Sequence, residues 1–254
     1  MSVRALLGEA YRLYRAHFRA LFALALLTAP FTMLAVVARR QVDDADTAQS
    51  LSGLIQIAGA LVSLAVAGAI VGAVKEAAAG RAPEFGAALD AALGRYWALL
   101  TTGLLTAALV LLSIISWPWL AFWWLRRPNA TIDSLRDWRL VWIPLALPVY
   151  LLVRWTFTQQ AVMIEGERNW AALDRSGGLV RGRWGQVLRT LLSIVFVTGV
   201  PIVLATVSTL AAPVVDVIVT AAVSSLMLPF AVTAMTLLYL QLTTTGENDA
   251  IGAD

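Results

Sequence analysis

Cysteine is absent from the 254 residues, and histidine occurs once, at His17. The first absence excludes disulfides, thiolate nucleophiles and thiolate metal sites, and leaves the redox compartment open, since a chain without Cys is indifferent to it. The second leaves metal chemistry poorly supplied, so neither a metal nor a cofactor is expected. Charge is also scarce: Asp, Glu, Lys and Arg make up 14% of the chain, where soluble domains carry about 25%. What is abundant is apolar, at 59% of residues and a mean hydropathy of +0.76. There is little from which to build a wet surface. One polytopic membrane domain over 1–246 is the natural organisation, with no room left for a soluble catalytic domain.

Runs without Asp, Glu, Lys or Arg extend over Ala20 to Ala38, Leu51 to Val74, Ala98 to Trp124, Thr190 to Val215 and Val217 to Gly246, against a requirement of roughly 20 residues per span. A sixth apolar stretch, 140–158, holds Pro144, Pro148 and a terminal Arg154. The fold class predicted is an all-α integral membrane bundle of about six transmembrane helices, with spans at about 20–38, 51–74, 97–118, 140–158, 190–211 and 217–241. Residues 247–254 read as a flexible tail. The N-terminus opens with a charged amphipathic stretch rather than a short apolar core and a small-residue cleavage site, so no cleavable signal is expected.

Amphipathic segments precede the odd-numbered spans. Over 3–18, Val3, Leu6, Leu7, Ala10, Tyr14 and Phe18 follow helical spacing among Arg4, Arg12, Arg15 and Arg19, the pattern of a helix lying on an anionic membrane face. The acidic turn with Asp43, Asp44 and Asp46 suits the outer side. The N-terminal segment, 75–95 and 154–189 carry four, three and six Lys or Arg, whereas the alternate connections hold only Arg39, Arg40, Arg126, Arg127, Arg136 and Arg139. Both termini are therefore expected in the cytoplasm, in a multi-pass inner membrane protein.

The three amphipathic segments resemble one another. Ala87-Ala88-Leu89-Asp90 and Ala171-Ala172-Leu173-Asp174 share a tetrapeptide, and Phe18, Trp97 and Trp184 open the spans that follow. Two readings stand side by side: three repeated units of interfacial helix plus hairpin, or convergence on what any passage from cytoplasm into bilayer requires.

Chemistry is thinly represented. No nucleophile with a base and no carboxylate and histidine cluster is evident. His17 belongs to a surface helix, Asp216 reads as a helix cap, and Gln56, Thr101, Thr102 and Thr106 read as hydrogen-bonding groups between helices. Span two is rich in small residues, with Gly59, Ser63, Gly68 and Gly72 as a packing face; Gly68 and Gly72 form a GxxxG pair. The aromatic cluster Trp117, Trp119, Phe122, Trp123 and Trp124 reads as an interfacial belt. The most informative polar segment is 165–184, where Arg168, Arg175, Arg181 and Arg183 interleave with Trp170 and Trp184. Guanidinium suits lipid phosphate and indole suits the headgroup layer. Arg175, Arg181, Arg183, Trp184 and Trp170 are the candidate headgroup residues, set against plain membrane anchoring.

The segment Ala161-Val162-Met163-Ile164-Glu165-Gly166, then Ala171-Ala172-Leu173-Asp174-Arg175-Ser176, Leu179 and Arg181-Gly182-Arg183-Trp184, resembles the membrane domain of glycerophosphoryl diester phosphodiesterases and its stand-alone bacterial relatives. Tyr11 to Phe18 and Leu237-Leu238-Tyr239 also sit where that family places similar residues. The resemblance implies a six-helix membrane bundle associated with lipids and without the catalytic barrel. A non-enzymatic module or scaffold with a cytoplasmic Arg and Trp face is thus the leading expectation, with membrane lipids as partners and no nucleic acid. A small transporter or channel for an apolar or lipid-like cargo, and a subunit of a membrane oligomer, are the alternatives.

Overall fold

A computed structural model describes residues 2–41, 44–126, 138–209 and 213–251, and among these every regular element is helical. In chain order the helices are α1 (Val3–Ala16), α2 (Phe18–Leu26), α3 (Ala29–Gln41), α4 (Ala45–Ala78), α5 (Phe85–Gly94), α6 (Tyr96–Leu125) and α7 (Trp138–Arg154). They continue with α8 (Thr158–Gln160), which runs into a π-helical turn at Ala161–Glu165, then α9 (Trp170–Val180), α10 (Trp184–Thr209) and α11 (Pro213–Ile251).

Five helical stretches are long and apolar enough to cross a membrane: Phe18–Ala35, Asp46–Ala78, Tyr96–Ile115, Trp184–Ser208 and Ala221–Thr245. α7, at 17 residues, lies at the short end of the spanning range. The surface is apolar where a water-soluble bundle would be polar: Leu192, Val195, Phe196, Val203, Leu204 and Val207 of α10 are all exposed at helical spacing. Such a surface faces lipid. α4 and α11 form the centre, with 56% and 50% of their apolar windows buried against 22% in α10 and 28% in α6.

Several boundaries differ from the sequence reading. The first span is broken at Leu27 and Thr28, because Pro30 brings no amide hydrogen to the carbonyl four residues earlier; it fits instead into the first turn of the new helix α3. α4 starts six residues early, since the Asp44 carboxylate accepts from the Thr47 amide at 2.9 Å and caps it. α11 begins at Pro213, so Asp216 is the fourth residue of the helix rather than its N-cap, and the helix continues past Gly246 to Ile251. The insert at 127–137 and the side chains of the Trp117 to Trp124 cluster lie outside the described residues.

The three amphipathic segments share one register. α1 passes into α2 through His17 (φ −114°, ψ 26°) and α5 into α6 through Arg95 (φ −109°, ψ 9°), while α9 reaches α10 through Arg181-Gly182-Arg183 with Gly182 at φ +78°. The amides of Leu21, Leu99 and Val187 bond back to the carbonyls of His17, Arg95 and Arg183. Counting from these hinges, Ala10, Ala88 and Ser176 are equivalent, as are Tyr14, Ala92 and Val180, then Leu21, Leu99 and Val187, then Leu24, Thr102 and Thr190. All twelve are buried. The shared Ala-Ala-Leu-Asp lies four residues further from the hinge in α9 than in α5. That is about one helical turn, so the same face stays inward.

Each amphipathic helix packs on the last long helix of the preceding unit: α5 on α4, α9 on α7, and α1 on α11. The last contact closes the three units into a ring. It is made by the Leu6, Ala10, Tyr14 stripe of α1, where the Tyr14 hydroxyl donates to the Leu226 carbonyl at 3.0 Å and the ring meets Phe230 edge-on. Burial pushes the Tyr14 phenol up to about 12, so it stays a neutral donor.

Candidate functional site

The short helices α5, α8 and α9 form a layer at one face of the bundle, and its most polar part surrounds the π-helical turn. A helix end exposes carbonyls without amide partners, and here two cations from other units meet them. Arg95 Nη1 donates to the Val162 and Met163 carbonyls at 3.0 and 2.6 Å, and Lys75 Nζ to the Ile164 carbonyl at 3.2 Å. Cations at a helix C-terminus also complement its dipole. Gly166, at φ +82°, ends the turn in a conformation that disfavours any side chain. A 540 Å³ cavity beside it is bordered by Lys75, Glu76, Glu84 and Arg95.

Glu165 is the last residue of that turn and the centre of a second cluster. Arg175 of α9 grips its carboxylate with both Nε (2.7 Å) and Nη2 (2.9 Å), and the Tyr239 hydroxyl of α11 donates to Oε1. Tyr239 is fully buried against Phe157. Burial raises the Glu165 carboxyl, but the hydrogen bonds from Arg175 and Tyr239 outweigh it and hold the group below the ordinary glutamate range. The bond to Glu165 likewise raises Arg175. One ion pair thus joins the π-turn, α9 and the central helix α11.

α9 is fixed at two further points. Ser176 Oγ donates to the Arg154 carbonyl at 2.8 Å and accepts from the Phe157 amide at 3.1 Å. The Asn169 amide, at φ 49°, donates to Thr102 Oγ1 at 2.9 Å. A Cβ on the neighbouring Gly177 would stand 2.8 Å from Arg154 Nε, so a larger residue there would make this guanidinium shift.

The five candidate headgroup residues separate into two groups. Arg175 is engaged by Glu165, and Trp184 is turned inward, its ring 6.2 Å from Tyr150 and its indole nitrogen buried without a partner. Trp170, 62% exposed, and Arg181 face outward, with Arg183 half-buried beside them. Trp97, 74% exposed at the start of α6, adds an aromatic that the sequence singled out only as a span opener. Of the small-residue face, a Cβ on Gly59 would stand 2.9 Å from Phe31 Cβ, one on Gly68 2.7 Å from Leu99 Cδ1 and one on Gly72 3.9 Å from Met163, while Ser63 lines a cleft against α3. These approaches are intramolecular.

The Glu165, Arg175 and Tyr239 cluster was not expected as a unit, although each residue lies in the segments quoted for the family resemblance. The signal available was Glu165 closing the apolar run Ala161 to Ile164, directly before Gly166, where a carboxylate next to membrane favours a partner. Among the described residues no three His, Asp or Glu side chains come together. Comparison of the chain with protein-family models, with curated proteins and with solved structures gives no match.

Proposed function

We propose that this chain is a non-enzymatic, lipid-associated module of a bacterial inner membrane, related to the membrane domain of glycerophosphoryl diester phosphodiesterases, with the short-helix face in the cytoplasm. The observation that carries the reading is the outward aromatic and cationic set on that face: Trp97 and Trp170 exposed at the starts of α6 and α9, and Arg181 exposed at the turn into α10. Exposed indoles on a helical layer sit best in the headgroup region, and an exposed guanidinium at the end of α9 attracts anionic lipid. The Glu165 cluster has a different part. It holds α9 so that Trp170 and Arg181 stay at the surface, and it takes Arg175 out of the headgroup set.

Native mass spectrometry of the protein extracted with its own lipids tests this. Arg181→Ala with Arg183→Ala is expected to lose retained anionic lipid, whereas Arg175→Ala lowers stability without selectively removing it. Unchanged lipid in the double variant, or selective loss in Arg175→Ala alone, overturns the assignment.

A further inference from the structure

Two clefts flank the broken first span, and both reach the same two side chains. A 320 Å³ cleft between the α2 to α3 break, α10 and α11 is lined by Thr28, Thr32, Thr198, Ser224 and Ser225 among apolar residues. A 490 Å³ cleft between α3 and α4 is lined by Thr28 and Thr32 again, with Gln56 and Ser63. Neither is sealed, and none of the described residues lining them is charged.

Their depth places them inside the bilayer. Thr198 stands fourteen residues along α10 from Trp184, and Ser225 fourteen residues along α11 from Tyr239. At 1.5 Å per residue that is about 21 Å from the short-helix layer, within a hydrocarbon core about 30 Å thick. Prolines stand in three helices bordering the first cleft: Pro30 in the first turn of α3, Pro201 inside α10 and Pro229 inside α11. A proline brings no amide hydrogen to the carbonyl four residues before it, and of the residues so affected Ser225 lines the cleft. The hydroxyl protons of Thr28 and Thr198 are already given to Ala25 and Ile194 at 2.8 Å each. What those oxygens still offer is lone pairs. The clefts are therefore apolar overall, carry hydroxyl, amide and carbonyl groups, and hold no cation among the described residues lining them.

We infer that these clefts bind a neutral glycerolipid with free hydroxyls, of the monoacylglycerol class. Its hydroxyls donate to the Thr28 and Thr198 oxygens and to the Ser225 carbonyl, and its acyl chain leaves through the open side into lipid. A phosphate in the same place would have no counter-charge, and burying an unpaired ion is prohibitive. Polar groups at helix breaks near the membrane midplane are where membrane proteins hold small ligands. The site is separate from the Arg and Trp face, so it stands or falls independently of the proposed headgroup contacts.

The test uses the whole protein in nanodiscs with a monoacylglycerol carrying a diazirine at the ester end of its acyl chain, beside the hydroxyls that enter the cleft, and as comparison a lysophosphatidate with the same chain and diazirine. Light-induced labelling is mapped by peptide mass spectrometry. The monoacylglycerol probe is expected to label peptides containing Thr28 to Phe31 and Ser224 to Leu228, to be displaced by unlabelled monoacylglycerol, and to exceed the phosphate-bearing probe there. Thr28→Val with Thr198→Val, checked for an unchanged melting temperature, is expected to weaken displacement roughly tenfold through two lost hydrogen bonds. Labelling confined to outer faces such as Phe196, or equal labelling by the phosphate probe, overturns the site without recourse to any variant.

Discussion

At the scale of single residues, the Glu165 carboxylate ties three separate elements together, and its protonation is the titration with the clearest consequence. Its pKa is held low in the folded protein, so its contribution is present above the unfolded value of about 4.3 and is lost as the pH falls through the lower folded value. Thermal melts in detergent are expected to show a stability loss below about pH 4, and Glu165→Gln is expected to flatten that part of the profile. Because Arg175 is 40% exposed, solvent screens the pair, and the neutral variant costs only about 1–2 kcal/mol at pH 7. Tyr239→Phe removes one donor and leaves the bidentate contact, so a loss of about 1 kcal/mol is expected from the same melts. Glu165 before Gly166 was visible in the sequence, yet its partners lie ten and seventy-four residues away. No local pattern pairs residues at such separations. Arg175 read as an outward cation because a repeated Arg and Trp alternation says nothing about which guanidinium is already bound.

At the scale of elements, helix type and approximate position were legible because apolar length and 3.6-residue periodicity act locally. The details that shape the clefts were less so. Pro30 was visible inside the first span, but whether a proline kinks a membrane helix or divides it depends on neighbours that satisfy the freed groups. The small residues of α4 show how packing grades a single residue type. At Gly59 an added methyl meets Phe31 Cβ, which is fixed to the backbone of α3 and cannot swing aside. At Gly72 nothing lies closer than 3.9 Å. Gly59→Ala is accordingly expected to destabilise by about 1–3 kcal/mol through overpacking, and Gly72→Ala to stay within about 0.5 kcal/mol. Denaturation of the two variants in the same detergent measures the difference, and equal effects would mean that α3 adjusts its distance from α4 freely.

For the whole molecule, the ring of three units makes a demand on topology that sequence similarity alone could not. Similar amphipathic segments are also what three unrelated membrane crossings would evolve. What goes beyond shared surface character is the common register of buried positions counted from His17, Arg95 and Arg183, together with the same packing of α5 on α4, α9 on α7 and α1 on α11. That arrangement requires the three short helices to lie on one side of the membrane, whichever side it is. The absence of cysteine makes the point directly measurable, since any introduced thiol is the only one in the chain. Glu84→Cys at the start of α5 and Gly178→Cys on the exposed side of α9 are expected to react with an impermeant maleimide only after the membrane is opened. Asp46→Cys at the far end of α4 is expected to react in intact cells. Reversal of all three would keep the ring and invert the orientation that the Lys and Arg distribution favours. Opposite behaviour of Glu84→Cys and Gly178→Cys would break the ring itself, because α5 and α9 could then no longer belong to one layer.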